Sequence, residues 1–237
     1  MSSRKHLGRL AGALYLLMSV AAVVSLGNVP SWFMSGGDAA ATAQNIAASP
    51  LLYRLGLVCD LAAQVLFVPL VLVLYQLLAD VDKRHAAVMV ALVLVQVPMA
   101  FANLILGLAP LVLLSGDAYL SVFDKAQLEA LALGFLNLRG HGVRAVMVFW
   151  GLWLLPFGVL VFRSGFVPRF LGVLLVLGCV GYLAVSLTSL LFPAYEQRIL
   201  PLTGLAVGEI LVTLWLVIKG ARTEPLAPTG RLGGGIG

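Results

Sequence analysis

Five polar side chains stand in or beside long apolar runs: Asp60 in LVCDLAAQVLF, Asn103 in AFANLIL, His141 and Arg144 in GHGVRAV, and Glu209 in LAVGEILVTLWLVI. Two carboxylates, an amide, an imidazole and a guanidinium are enough for several chemistries. They can bind a zwitterionic ligand, carry a proton, or work as acid and base on a bound substrate. An ionised group at membrane depth costs at least ~2.5–3.5 kcal/mol on insertion scales, which makes each of these a functional candidate by default. The competing reading is structural. Asp60 or Glu209 would then pair with Arg144 or Arg54 to lock helices together, and Gln64, Gln96 and Asn103 would serve as interhelical hydrogen-bond partners.

The elements that must position these groups follow from composition. Of 237 residues, 61% are hydrophobic and 11% charged, and the mean hydropathy is +1.05. Such a chain falls outside the soluble range and reads as a membrane protein. Short alternating segments of the outer-membrane barrel type are absent. Apolar runs between breakers give six candidate spans, 7–27, 52–78, 86–114, 141–162, 168–192 and 201–219, each near the ~20 residues that cross a ~30 Å hydrocarbon core. The first run is longer than a signal-peptide core, and the GNVPSW after it is a poor cleavage site, so it reads as a retained helix. The expected fold is all-α: a polytopic bundle of six transmembrane helices with one or two outer amphipathic helices.

An even number of spans puts both termini on one side. Arg4, Lys5, Arg9, Lys83, Arg84, Arg163, Arg169, Lys219, Arg222 and Arg231 fall on that side, against Arg54, Lys125, Arg139, Arg144 and Arg198 opposite. By the positive-inside rule both termini are cytoplasmic. The net charge of +5 is therefore topological, and no nucleic-acid partner is indicated. Residues 1–223 read as one transmembrane domain, with 224–237, ending GRLGGGIG, as a disordered tail. On the outer side, DAAATAQNIAAS (38–49) and the stretch from Asp124, DKAQLEALALGFLNLRGHG, have helix-forming composition and acidic N-cap candidates; either they cover the bundle from outside, or each simply connects two spans.

At about 1.5 Å per residue, Asp60 and Asn103 come out about 10 Å below the outer boundary and Glu209 about 12 Å below it. Tyr53, Gly56, Asp60 and Gln64 share one helical face; so do Gln96, Ala100, Asn103 and Gly107, and so do Cys179, Tyr182, Ser186 and Ser189. Glu209 and Thr213 are one turn apart. Such stripes are costly against lipid and should face one another. Around the primary candidates Asp60, Asn103, His141, Arg144 and Glu209, the supporting set is Arg54, Gln64, Gln96, Ser186 and Thr213.

The phrases LGRLAGALYLL, GDAAATAQNIAASPLLYRLGLVCDL, FRSGFVPRFLGVLL and GEILVTLWLVIKG, in that order, resemble the family of bacterial membrane proteins named domain of unknown function 4386, over roughly residues 7–220. The resemblance implies a six-helix inner-membrane protein and supplies no activity. It also implies that Arg54, Asp60, the position of Asn103, a histidine near the fourth span and Glu209 are shared features.

The function is therefore read from the residues. There is no nucleophile elbow, HExxH, Asp-rich metal sequence or phosphate loop, and no facing histidine pair for haem among His6, His85 and His141. No metal site is assigned and no cofactor is named. The first reading is binding or transport of a small molecule or lipid headgroup through a polar pocket in the outer half of the bundle. The second is an intramembrane enzyme on a lipid-linked substrate, using Asp60, His141 and Glu209 as acid and base or around a divalent metal. The third is a structural or regulatory partner subunit. Cys59 and Cys179 read as small hydrophobes, and the sequence leaves the oligomeric state open.

Overall fold

The computed structural model describes residues 2–28 and 32–221. Arg222, Arg231 and the tail 224–237 lie outside the described residues. The described chain is helical, with no β-strand among its residues. Helix α1 (Ser2–Ala22) runs into a π-helical turn (Val23–Asn28), and α2 (Ala39–Ala48), α3 (Pro50–Leu78) and α4 (Lys83–Leu113) follow. Next come α5 (Lys125–Ser164), α6 (Arg169–Leu191), a short α7 (Glu196–Ile199), a 3-10 segment (Leu200–Ala206) and α8 (Val207–Lys219). Six helical segments are long and apolar enough to cross a membrane, the last formed jointly by residues Pro193–Lys219.

Each span packs on its chain neighbours, and α1 packs on α8, so the six form a closed ring in chain order. Large apolar side chains such as Leu17, Leu55, Ile105, Val173 and Ile218 remain exposed on its outer surface, where a bilayer would cover them. The polar stripes turn inward. Tyr53, Asp60, Gln64, Gln96, Ser186, Ser189 and Thr213 are all buried, as helical phase required.

Small residues bring the backbones together. A Cβ added at Gly12 would come within 2.5 Å of the Val217 nitrogen, and one at Gly158 within 2.7 Å of the Gly172 carbonyl oxygen. The first contact seals α1 against α8 in the half nearest the termini; the second seats α5 on α6. Such close approach is the usual basis of helix association in lipid.

Two expectations about the elements are corrected. The stretch from Asp124 is not a separate surface helix. It is the first part of α5, which continues unbroken through Gly140 and Gly142 to Ser164, so the span expected at 141–162 starts much earlier. Glycine weakens a helix interior by only about 1 kcal/mol, and α4 packs along this segment and outweighs that cost. Asp124 does cap the helix: its carboxylate accepts from the Gln127 N–H at 2.8 Å, and the Gln127 side chain accepts back from the Asp124 N–H at 3.0 Å. The last span, expected as helix over 201–219, is α-helical only from Val207. Its 3-10 start, with Pro201 at its N-terminus, opens about 2 Å per residue instead of 1.5. The other outer segment forms α2 as expected, with the Asp38 carboxylate accepting from the Ala41 N–H at 3.0 Å. Phe33, Ile46, Tyr53, Leu57 and Leu136 form the small cluster that pins it over α3 and α5.

At the terminal side, Asp82 caps α4. Its carboxylate accepts from the backbone N–H groups of Arg84 and His85 at 3.0 and 3.2 Å and meets the His85 ring at 2.8 Å and Arg163 at 3.2 Å. The His85 backbone hydrogen bond is the main reason its carboxyl is held below the usual range. With the folded value below the unfolded ~3.9, the cap stabilises fully above about pH 4, and that contribution is lost as pH falls through the folded value. The D82A variant should therefore melt at lower temperature than wild type at pH 7, with the gap closing below about pH 4. Tryptophan-monitored melting in detergent across that range checks it.

Candidate functional site

A cavity of about 690 Å³ lies in the half of the ring away from the termini. Every span contributes to its wall: Tyr15 and Met18 from α1, Asp60, Gln64 and Phe67 from α3, and Gln96 from α4. Trp150 and Trp153 come from α5, Tyr182 from α6, and Thr203, Val207 and Glu209 from the last span. The opening has a local cause. Gly8 and Gly12 hold α1 on the end of α8 in the other half. Beyond them α1 loosens into the π-helical turn and the last span into its 3-10 segment, and the space lies between.

Asp60, about 15 Å along α3 from its start, pairs with Arg139 of α5 at 2.6 Å, both side chains nearly buried. The helix between them supports the pair. The Asn103 amide of α4 donates to the Arg139 carbonyl at 3.1 Å, and Gly107 of α4 leaves room for the arginine: a Cβ there would meet Arg139 Nε at 3.1 Å. The Tyr53 hydroxyl donates to the Gly107 carbonyl at 2.7 Å. One turn deeper than Asp60, Gln64 accepts from the Gln96 amide at 3.1 Å.

Glu209 is held differently. Its carboxylate accepts from the buried Tyr15 hydroxyl, with Tyr182 as a second phenol partner. The Thr213 hydroxyl donates to the Glu209 carbonyl at 2.7 Å. Aromatic contacts fix these phenols: Tyr15 lies 5.9 Å from Trp153 and Tyr182 6.2 Å from Trp150, between ring centroids. Trp153 is further wedged between Phe67 and Phe157 at 5.0 and 5.3 Å.

Of the residues singled out from sequence, the cavity brings together Asp60, Gln64, Gln96 and Glu209. Asn103 supports Arg139 from outside it. Arg144 is engaged by Glu196 of α7, while the Ser186 hydroxyl donates to the Arg144 carbonyl at 2.6 Å. Arg54 and His141 are exposed. The pairing of Asp60 or Glu209 with Arg144 or Arg54 is thus corrected, because α5 turns Arg139 toward Asp60 and Arg144 toward α7. The convergence of Asp60, His141 and Glu209 is corrected too, since His141 is exposed and is not among the residues lining the cavity. Among the described residues no three His, Cys, Asp or Glu side chains are grouped to hold a metal ion.

Arg139 was missed because it falls in the segment read as a surface helix. Glu196 was missed because it reads as loop. Tyr15, Trp150 and Trp153 look like core aromatics in sequence, and only the neighbouring acid gives Tyr15 its role.

Removing one partner of a buried ion pair leaves an uncompensated charge, at about 3–5 kcal/mol. D60N should destabilise by about that amount, whereas the double variant D60L/R139M should recover most of it. Thermal melts in lipid nanodiscs distinguish the two.

An uncharacterized protein of Archaeoglobus fulgidus is 37% identical over 82 residues, covering 35% of this chain and 48% of that protein, so the chain spans about half the length of the curated relative it matches. No solved structure matches. The family model described as domain of unknown function (DUF4386) matches residues 10–220. With nearly the whole described ring inside that match, the chain belongs to this family of membrane-type helical proteins.

Proposed function

We propose that the protein binds or transports a small molecule or lipid headgroup in the cavity between its six spans. The observation that carries this reading is the cavity itself: about 690 Å³, within the 300–1,000 Å³ typical of ligand pockets. Its wall is mostly apolar and aromatic, with a few convergent polar groups at Asp60, Gln64, Gln96 and Glu209. Ligand sites combine apolar bulk with sparse, placed polar groups in this way. Acids inside a bundle are costly unless they serve a ligand, a proton path or a partner. Within the reading, Asp60 and Glu209 contact or neutralise the ligand, Gln64 and Gln96 hydrogen-bond it, and Asn103, Arg144, Ser186 and Thr213 hold the helices that carry them.

The proposed setting is a bacterial inner membrane with both termini cytoplasmic, so that the cavity faces the outer leaflet, and residues 1–223 act as one domain. Charge asymmetry supports this orientation. The terminal side carries ten Lys and Arg residues against five on the opposite side, the excess expected of the cytoplasmic face.

Two experiments test the proposal. Protein purified in mild detergent should carry a small-molecule mass adduct by native mass spectrometry, and A22W, which fills the cavity from α1, should lose it while melting near the wild-type temperature. Identical adduct patterns count against the site. With Cys59 and Cys179 replaced by alanine, S19C and T203C on the cavity wall should react with a membrane-impermeant cationic thiol reagent added outside cells. V20C on the outer surface of α1 should not; labelling of S19C and T203C only after permeabilisation reverses the orientation.

A further inference from the structure

Charge is not balanced evenly around the cavity. Asp60 has Arg139 at 2.6 Å. Glu209 takes part in none of the ion pairs among the described residues, and its partners Tyr15 and Tyr182 are neutral hydroxyls. No Lys, Arg or His side chain lines the cavity. The wall thus has one acid without a countercharge, in a place where ionised groups are paired or occupied.

The surroundings specify what would complete it. Trp150 and Tyr182 present aromatic rings along the same wall, and ring faces attract cations, most strongly when desolvated. Gln96 is 1% exposed and lines the cavity; its amide nitrogen donates to Gln64, but its carbonyl Oε1 is buried with no hydrogen-bond partner. An anion would find no cation here, and both phenol hydroxyls are already directed at Glu209. A neutral ligand would leave Glu209 uncompensated. Met18, Val23, Leu26 and Ile210 supply an apolar lining for a hydrophobic body.

We infer that the ligand is an amphipathic organic cation, an ammonium compound whose nitrogen is neutralised by Glu209 within the Trp150 and Tyr182 wall. The inference rests on the cavity being a ligand site, and the test separates the two.

Three probes of one shape are compared: a phenylhexyl ammonium, the matching alcohol and the matching carboxylate. Calorimetry uses the full chain in phosphatidylcholine nanodiscs, with protein-free nanodiscs subtracted. The ammonium should bind at least about tenfold more tightly than the alcohol, and the carboxylate not measurably. E209Q should bring the ammonium-to-alcohol ratio to about one, and W150A should weaken the ammonium by roughly 3- to 30-fold. Should E209Q fail to fold, the W150A loss for ammonium, with alcohol binding unchanged, carries the test. Equal binding of ammonium and alcohol to wild type, abolished by A22W, overturns the cation inference and leaves the cavity reading standing. A cation preference that persists in folded E209Q overturns it as well. Binding of all probes unchanged in A22W overturns both.

Discussion

The constraint on which the arrangement depends is that a carboxylate inside an apolar bundle must be neutralised by something within reach. Asp60 meets it with Arg139, and the two helices involved, α3 and α5, are not neighbours in the ring. The pair therefore reaches across the interior. For it to close, α4 between them must be thin at that level, which explains a glycine at 107, and its amide at Asn103 must hold the arginine's own turn. One ion pair thus sets the rotation of three helices. A pair of this kind adds little net stability over an apolar substitute; its larger effect is to select one register of α5 against α3.

A second, separate latch acts on the other side of α5. Arg144 engages Glu196 of α7, and Ser186 of α6 donates to the Arg144 carbonyl. Five residues along one helix, Arg139 and Arg144 point to different neighbours, so α5 is fastened toward α3 and toward α7 at once. These two arginines account for two of the acids in this half of the bundle. Glu209, on the cavity wall, has hydroxyl partners alone.

The cavity itself follows from where the ring is tight and where it is loose. Glycines let α1 and α8 touch near the termini. At the other end both chains depart from α-helical geometry, one into a π-helical turn and the other into a 3-10 segment. Irregular backbone in a membrane protein is tolerated where it lines a cavity or is buried in protein. The disposition of the last span agrees with that rule, since Thr203 and Val207 lie on the cavity wall.

What the amino-acid sequence determined alone is whatever depends on local composition and helical phase. Six apolar runs require six helices because the backbone must satisfy its own hydrogen bonds in lipid. Phase alone put Tyr53, Asp60, Gln64 and Gln96 on inward faces, and all are buried. Capping chemistry at Asp38 and Asp124 marked true helix starts. Which charge meets which was decided only by tertiary structure. Asp60 and Arg139 are 79 positions apart and Tyr15 and Glu209 are 194 apart, and several arginines are equally plausible partners until helix rotation and register are known. The same holds for the continuity of α5. Gly140 and Gly142 look like a break in isolation, and the α4 surface packed along them lets one helix carry Arg139 down to Asp60.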